Sequence, residues 1–310
     1  MDTIQDEFAH AVIEGLSNGA KQIPCRFLYD ARGSELFEEI TELDEYYPTR
    51  TEIGLLQNYG AEIGEMAGPG CALVEFGSGS SRKTRILIDH LEEIAAYVPI
   101  DIADEALNEA ADRLETHYPE LDVLPVHADF NQDIDLPDRI NGTPKLGFFP
   151  GSTIGNFDRE GVEQFLSDAA ALLGEKSSFL VGVDLKKSSE ILLPAYDDAK
   201  GVTAEFILNL LHRINNELDG NIDLTKFDHQ SVYNEEAGRV ELYIVSLEGQ
   251  QISVQGQTFD LKKGERIHIE NSHKFSVDEF QALAESSGWT PAQVWTDDRK
   301  LFSLHYLERA

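Results

Sequence analysis

The sequence predicts an α/β fold: a doubly wound, mostly parallel sheet with an α+β block inserted before its end. Two observations carry this. From residue 72 to 185, short and nearly continuous apolar runs alternate with helical stretches. Strands that read apolar throughout belong to sheets covered on both faces. Past residue 190 the alternation stops, and short strands with glycine turns follow before the chain returns to one helix and two strands.

The elements run in this order. Residues 4–17 and 34–43 read as helices; in the second, Leu36, Phe37 and Ile40 recur at helical spacing. Pro48 in EYYPTR breaks the pattern, and helix is expected again from Thr51 to about Met66. ALVEFG (72–77) is the first sheet strand and SRKTRILIDHLEEI its helix. YVPID (97–101) and ADEALNEAADRLETHY form the second pair. LDVLPVHADF (121–130) holds the third strand, weakened at Pro125, which has no N–H for a ladder. KLGFFPGS (145–152), the helix REGVEQFLSDAAALLG and the strand SSFLVGVDL complete this series. Residues 199–217 are helical, with Phe206, Leu208, Leu210 and Leu211 as apolar content. FDHQSVY, GRVELYIVSL, QQISV, QTFDL and ERIHIE then read as strands, with Gly238, Gly249 and Gly256 at the turns. Residues 277–287 are helical, and AQVWTD and LFSLHYLE close the sheet as a final pair.

Charge narrows the partners. There are 57 acidic against 25 basic residues, a formal net charge of −32. Such a field repels nucleic acid and anionic membrane, so neither is expected as a partner. The acids are scattered, as in DEALNEAADRLE. They suit a very soluble surface, or a protein adapted to high salt, where screening tames self-repulsion. No apolar run approaches the length of a membrane span, and MDTIQDEFAHAVIEGL lacks the basic start of a signal peptide, so a cytoplasmic address is expected. Two cysteines, Cys25 and Cys71, imply neither a disulfide framework nor a thiolate metal site. No metal-ligand spacing of the HExxH kind occurs, and no metal is expected.

The strongest local motif is Gly77-Ser78-Gly79-Ser80-Ser81-Arg82-Lys83-Thr84, directly after the first strand. Glycines at a strand-to-helix turn let backbone approach a ligand. Three ligand classes use such a turn. A dinucleotide fingerprint wants a third glycine where Arg82 stands. A P-loop matches at Gly77, Lys83 and Thr84 and fails again at Arg82; a left-handed turn there would cost a non-glycine residue about 1–2 kcal/mol. S-adenosylmethionine has no phosphate and needs only the first glycines, and Lys83 could then pair with its carboxylate. The phosphate classes remain as lesser alternatives.

Other strand ends carry polar groups. Asp101 ends the second strand, where a carboxylate can accept from both hydroxyls of a ribose. Asp129-Phe130 ends the third, and a carboxylate beside an aromatic suits adenine, although Asp129 alone would serve as a turn cap. PGSTIGNF follows the fourth. Gly151 and Gly155 permit close backbone approach, and Asn156 offers both donor and acceptor, or simply forms an Asx turn. Glu270-Asn271-Ser272 ends the last strand of the inserted block. Its carboxylate and hydroxyl share one strand face and could grip an imidazole N–H, though a solvated strand end needs no such role.

These segments together resemble the histidine Nα-methyltransferases of ergothioneine biosynthesis. The likeness runs in order through FLYDARGSELFEEITELDEYYPTRTE, LVEFGSGSSRKT, YVPIDIA, HADF, FFPGSTIGNF, DLKKSSEILLPAYDDAKGVTAEFILNLLHRIN and ERIHIENSHKF. The resemblance implies a class I methyltransferase fold, a Rossmann-like doubly wound sheet with an inserted substrate-binding domain. Residues 1–50 would be the helical N-terminal part of the substrate domain, 191–273 its inserted part, and 51–190 with 274–310 the methyltransferase domain. It implies S-adenosyl-L-methionine contacts at Gly77, Lys83, Asp101, Asp129 and Phe130. It implies L-histidine contacts at Tyr46, Gly151, Asn156, Tyr196, Glu270 and Ser272. Asn156 and Tyr196 would hold the α-carboxylate and orient the amine, Glu270 and Ser272 would read the imidazole, and Tyr29 with Asn156 would serve catalysis. The product would be trimethylhistidine, hercynine, made by a monomer. Two positions depart from the pattern: Asp44, where proline is expected, and Leu242, where methionine is expected beside the side-chain pocket. Three alternatives stand beside this reading. One is an N-methyltransferase of another aromatic amino acid such as tryptophan. Another is a phosphotransferase with Asp184 on magnesium. The third is a non-catalytic cofactor-binding subunit.

Overall fold

A computed structural model of the chain describes residues 3–77, 79, 81–102, 104–129 and 134–309. In chain order the elements are α1 (Thr3–Ser17), β1 (Lys21–Gln22), α2 (Ala31–Thr41), α3 (Tyr47–Ala67), β2 (Ala72–Phe76), α4 (Arg82–Ile88), β3 (Ala96–Asp101) and α5 (Asp104–His117). There follow β4 (Val126–His127), β5 (Lys145–Phe149), α6 (Arg159–Leu173), β6 (Ser178–Asp184), α7 (Ser189–Tyr196), α8 (Val202–Glu217) and β7 (Phe227–Asn234). The chain ends with β8 (Arg239–Ser246), β9 (Gln250–Val254), β10 (Gln257–Leu261), β11 (Arg266–His273), α9 (Val277–Ser286), β12 (Thr290–Thr296) and β13 (Phe302–Glu308). Two compact units result: Met1–Tyr47 with Lys187–Ser272, and Pro48–Lys186 with His273–Ala310.

The second unit is built on a seven-stranded sheet of order β4-β3-β2-β5-β6-β13-β12. β4, β3, β2, β5 and β6 run parallel, while β13 is antiparallel to both β6 and β12. The chain winds outward from β2 in one direction and returns on its other side at β5. The carboxyl ends of β2 and β5 therefore flank the switch point where open α/β sheets bind ligands. Both faces are covered. Val74, Phe76, Phe149 and Phe179 pack with Phe165 of α6 and Phe280 of α9. Leu73, Phe148 and Leu180 pack with Leu56 of α3, Leu87 of α4 and Leu114 of α5. Each such side chain contributes about 1.5–3 kcal/mol by leaving water.

The first unit holds a four-stranded sheet of order β1-β11-β8-β7 and a separate β9–β10 hairpin. β1 runs parallel to β11, and β7 antiparallel to β8 with Ser231 opposite Leu242. Asp198 accepts hydrogen bonds from the amides of Val202 and Thr203, which the first turn of α8 cannot satisfy itself.

Several expectations need correction. Pro48 does not interrupt a helix; it lies in the first turn of α3, where its missing N–H had no helical partner to lose. The helix after β2 stops at Ile88 rather than near residue 94. The His90 turn packs onto α3, where a Cβ on Gly60 would sit 2.2 Å from the His90 ring. The third strand shrinks to Val126–His127 with an isolated bridge at Val123, because Pro125 divides it. Both α7 and β1 went unforeseen.

Candidate active site

The cofactor-type residues lie at the carboxyl ends of the parallel strands of the second unit. Gly77 leaves β2 at φ 80°, and its amide is tied to Ile100 O of β3 at 2.8 Å. Gly79 also has positive φ, and a Cβ there would meet nothing within 4 Å. The turn closes at Ser81, whose φ of 57° is left-handed. Arg82, where the phosphate-binding fingerprints want a glycine, is the first helical residue of α4. Ser81 Oγ is buried with no hydrogen-bond partner among the described residues, so the loop offers a polar group for a polar ligand to satisfy.

In the first turn of α4, Lys83 Nζ stands 2.5 Å from Glu52 Oε2 of α3. The same carboxylate accepts the Gly151 amide, at 2.9 and 3.1 Å. Glu52 is wholly buried, and a Cβ on Gly182 of β6 would lie 2.1 Å from its Oε1. The start of α4 and the loop after β5 thus share one anion. Sequence reasoning missed Glu52. Its signal was a carboxylate on the buried stripe of α3, at helical spacing from Leu55, Leu56 and Ile63.

Glu75 was also missed. It occupies the middle of β2 at 1% exposure and accepts from Tyr97 Oη at 2.5 Å and Thr84 Oγ1 at 2.8 Å. Burial pushes its pKa up to about 8, against the pull of the two hydroxyls and Lys83. Asp101 ends β3, half-buried, and Asp129 lies two residues past β4, also half-buried. Phe130 lies outside the described residues.

The loop after β5 is held from both sides. Ser152 Oγ accepts the Asp184 amide at 2.9 Å, and a Cβ on Gly155 would fall 2.7 Å from His273 O. Only glycine fits there, and Asn156 follows at the end of the turn, half-buried. Asp184 forms a 2.7 Å ion pair with Lys274, both side chains fully buried. The carboxylate that a phosphotransferase would give to magnesium is already neutralised. Among the described residues no group of three or more His, Cys, Asp or Glu could hold a metal.

The substrate-type residues of the first unit form an aromatic chain. Tyr29 meets Phe37 and Phe206 edge-on, at 5.6 and 5.4 Å between ring centres. Phe37 meets Tyr46 at 6.2 Å, and Tyr46 meets Tyr196 at 6.3 Å. Tyr196 Oη is hydrogen-bonded to Ser272 Oγ at 2.8 Å. Glu270 stands two residues before Ser272 on β11. Although 37% of Tyr29 is exposed, desolvation first, then Glu270, Cys25, Tyr46 and Tyr196, hold its phenol well above the usual tyrosine range. Leu242 is buried at 2% in β8.

A Rossmann-like sheet with an antiparallel seventh strand, a glycine turn after its first strand and an acid ending the second define a class I S-adenosylmethionine-dependent methyltransferase. The chain belongs to the family described as histidine-specific, SAM-dependent methyltransferases, whose sequence model matches residues 8–309. It is 35% identical to the histidine N-alpha-methyltransferase of Mycolicibacterium smegmatis, over 98% of this chain and 95% of that protein. It is 36% identical to the protein of the same name from Mycobacterium tuberculosis, over 94% of this chain and 92% of that one. The 4-dimethylallyltryptophan N-methyltransferase of Claviceps purpurea is 26% identical over 99% of this chain and 96% of its own length.

Proposed function

We propose that the chain methylates the α-amino group of free L-histidine with S-adenosyl-L-methionine, giving hercynine on the route to ergothioneine. The observation that carries the choice of histidine is Glu270 on the same strand face as Ser272. A carboxylate there satisfies an imidazole N–H, whereas an indole offers a single N–H and no charge. Incubating histidine with the enzyme and cofactor and weighing the products by mass spectrometry tests this. Trimethylated histidine is expected; unmodified histidine would remove the reading.

Roles follow residue by residue. When bound, S-adenosylmethionine supplies a methyl group on a positively charged sulfur. Gly77 gives the cofactor close backbone approach, Asp101 accepts from the ribose hydroxyls, and Asp129 with Phe130 takes the adenine. Lys83 pairs with the carboxylate end, oriented by Glu52. Asn156 and Tyr196 take the substrate carboxylate and aim the amine, with Gly151 leaving room. Tyr46 lies beside the imidazole that Glu270 and Ser272 read. The Tyr29 phenol stays protonated, so its oxygen serves as a lone-pair acceptor for an amine N–H and not as a phenolate base. The amine must present a free lone pair, and holding it in line accounts for most of the rate.

We further propose a monomeric cytoplasmic enzyme. Among the described residues the exposed large apolar side chains are Tyr29, Ile102 and Leu247. Both cysteines are free thiols. Among the described residues no helix is long and apolar enough to cross a membrane. Light scattering tests the monomer.

A further inference from the structure

We infer that His229 and Ser231 are positioning residues for histidine binding, fixing Tyr196 by its backbone carbonyl so that its phenol meets Ser272. This rests on the reading above that Tyr196 and Ser272 hold the substrate. Tyr196 is the last residue of α7, and Asp197 leaves the helix at φ −152°. The final carbonyls of a helix have no helical donor. Here Tyr196 O accepts from Ser231 Oγ at 2.6 Å and from His229 Nε2 at 2.8 Å. His229 Nε2 also lies 2.9 Å from Ser231 Oγ. A carbonyl can only accept, so Nε2 carries the ring proton. The two residues alternate along β7 and therefore share one face.

The local packing makes this pair hard to replace with water. His229 is 8% exposed, and its Nδ1 is buried with no partner among the described residues. Across the ladder stand Ile244 and Leu242, buried at 0% and 2%. The helix end is therefore pinned by two side-chain donors above an apolar strand. From that fixed carbonyl the Tyr196 ring reaches 6.3 Å edge-on to Tyr46, and its Oη reaches Ser272 Oγ. Losing a donor frees the Tyr196 backbone, and the phenol at the far end of the ring loses its aim.

The test is steady-state kinetics of the full chain, varying histidine and cofactor separately. His229→Phe keeps a flat ring and removes the donor; the histidine KM should rise about 5- to 10-fold. The cofactor KM should stay within about twofold. His229→Gln, whose amide still donates, should recover most of the loss. In a Tyr196→Phe background His229→Phe should add little, because the phenol it aims is gone. If His229→Phe leaves the histidine KM unchanged, or costs the same factor with Tyr196→Phe, the inference is overturned. Should His229→Phe not fold, Ser231→Ala carries the same test with an expected rise of about 3-fold. Tyr196→Phe alone separates the two ideas: wild-type histidine KM in that variant defeats the substrate assignment itself.

Discussion

Lys83 and Glu52 form an ion pair of 2.5 Å in which the carboxylate is wholly buried and the lysine side chain is 18% exposed. Breaking one member of a buried pair costs more than the pair contributes, because a charge is left without a partner. Glu52→Ala and Lys83→Ala should each lose about 3–5 kcal/mol of unfolding free energy. Glu52→Ala combined with Lys83→Ala should lose much less than the sum. Urea unfolding of the three variants measures this. Additive losses would mean that the two residues do not act on each other.

The cofactor half is probed at Asp101, which ends β3 beside the glycine turn. Asp101→Ala removes one carboxylate from two ribose hydroxyls. Charge-assisted hydrogen bonds are worth about 1.5–3 kcal/mol, so affinity should fall about 10- to 100-fold. Calorimetry with S-adenosylhomocysteine reads it directly. Unchanged affinity would take Asp101 out of the site.

Glu75 predicts an unusual pH dependence. Its folded pKa of about 8 lies above the ordinary 4.5, so the folded chain keeps a proton that the unfolded chain releases. Its contribution is therefore full below pH 4.5 and is lost as pH rises through about 8. Glu75→Gln removes this slope, which is at most about 1.4 kcal/mol per pH unit. Urea midpoints at several pH values between 5 and 8 should fall for the wild type relative to the variant. Parallel curves would show that Glu75 is ionised in the fold throughout.

What could be read in the sequence, and what could not, divides along physical lines. Apolar runs ending in Gly77, Asp101 and Pro150 announce the carboxyl edge of a parallel sheet, so the strand ends and their polar residues were legible. Pairings across the chain were not. Glu52 meets Gly151 across 99 residues, and a glutamate on a helix is read by default as solvated. α7 was hidden by Pro194, which reads as a breaker although the helix passes through it. β1 is two residues long and exists only because β11 offers it an edge. The Tyr196–Ser272 bond joins the end of α7 to β11, and no local pattern announces it.

The net charge of −32 predicts a response to salt. Self-repulsion weakens as the screening length shrinks from about 10 Å at 0.1 M to about 3 Å at 1 M. The melting temperature should rise across that range if the surface is adapted to salt. A flat curve would leave solubility as the role of the charge.

Substrate choice is the deepest test, because the two ends of the amino acid are assigned to different residues. Glu270→Ala should raise the histidine KM and leave the transfer step intact, since the carboxylate reads only the ring. It should also admit other aromatic amino acids, because no carboxylate then demands an N–H partner. Asn156→Ala should impair every amino acid alike, because amine orientation is lost for all of them. Histamine, which lacks the α-carboxylate, should be a poor substrate of the wild type. Leu242 makes its stretch of β8 apolar and leaves room for some turnover of tryptophan. Methyl incorporation into histidine, tryptophan and histamine by the three proteins decides among these. Wild-type histidine affinity and selectivity in Glu270→Ala would show that the imidazole is read elsewhere. A wild type that prefers tryptophan would make Leu242, and not Glu270, the residue that sets the substrate.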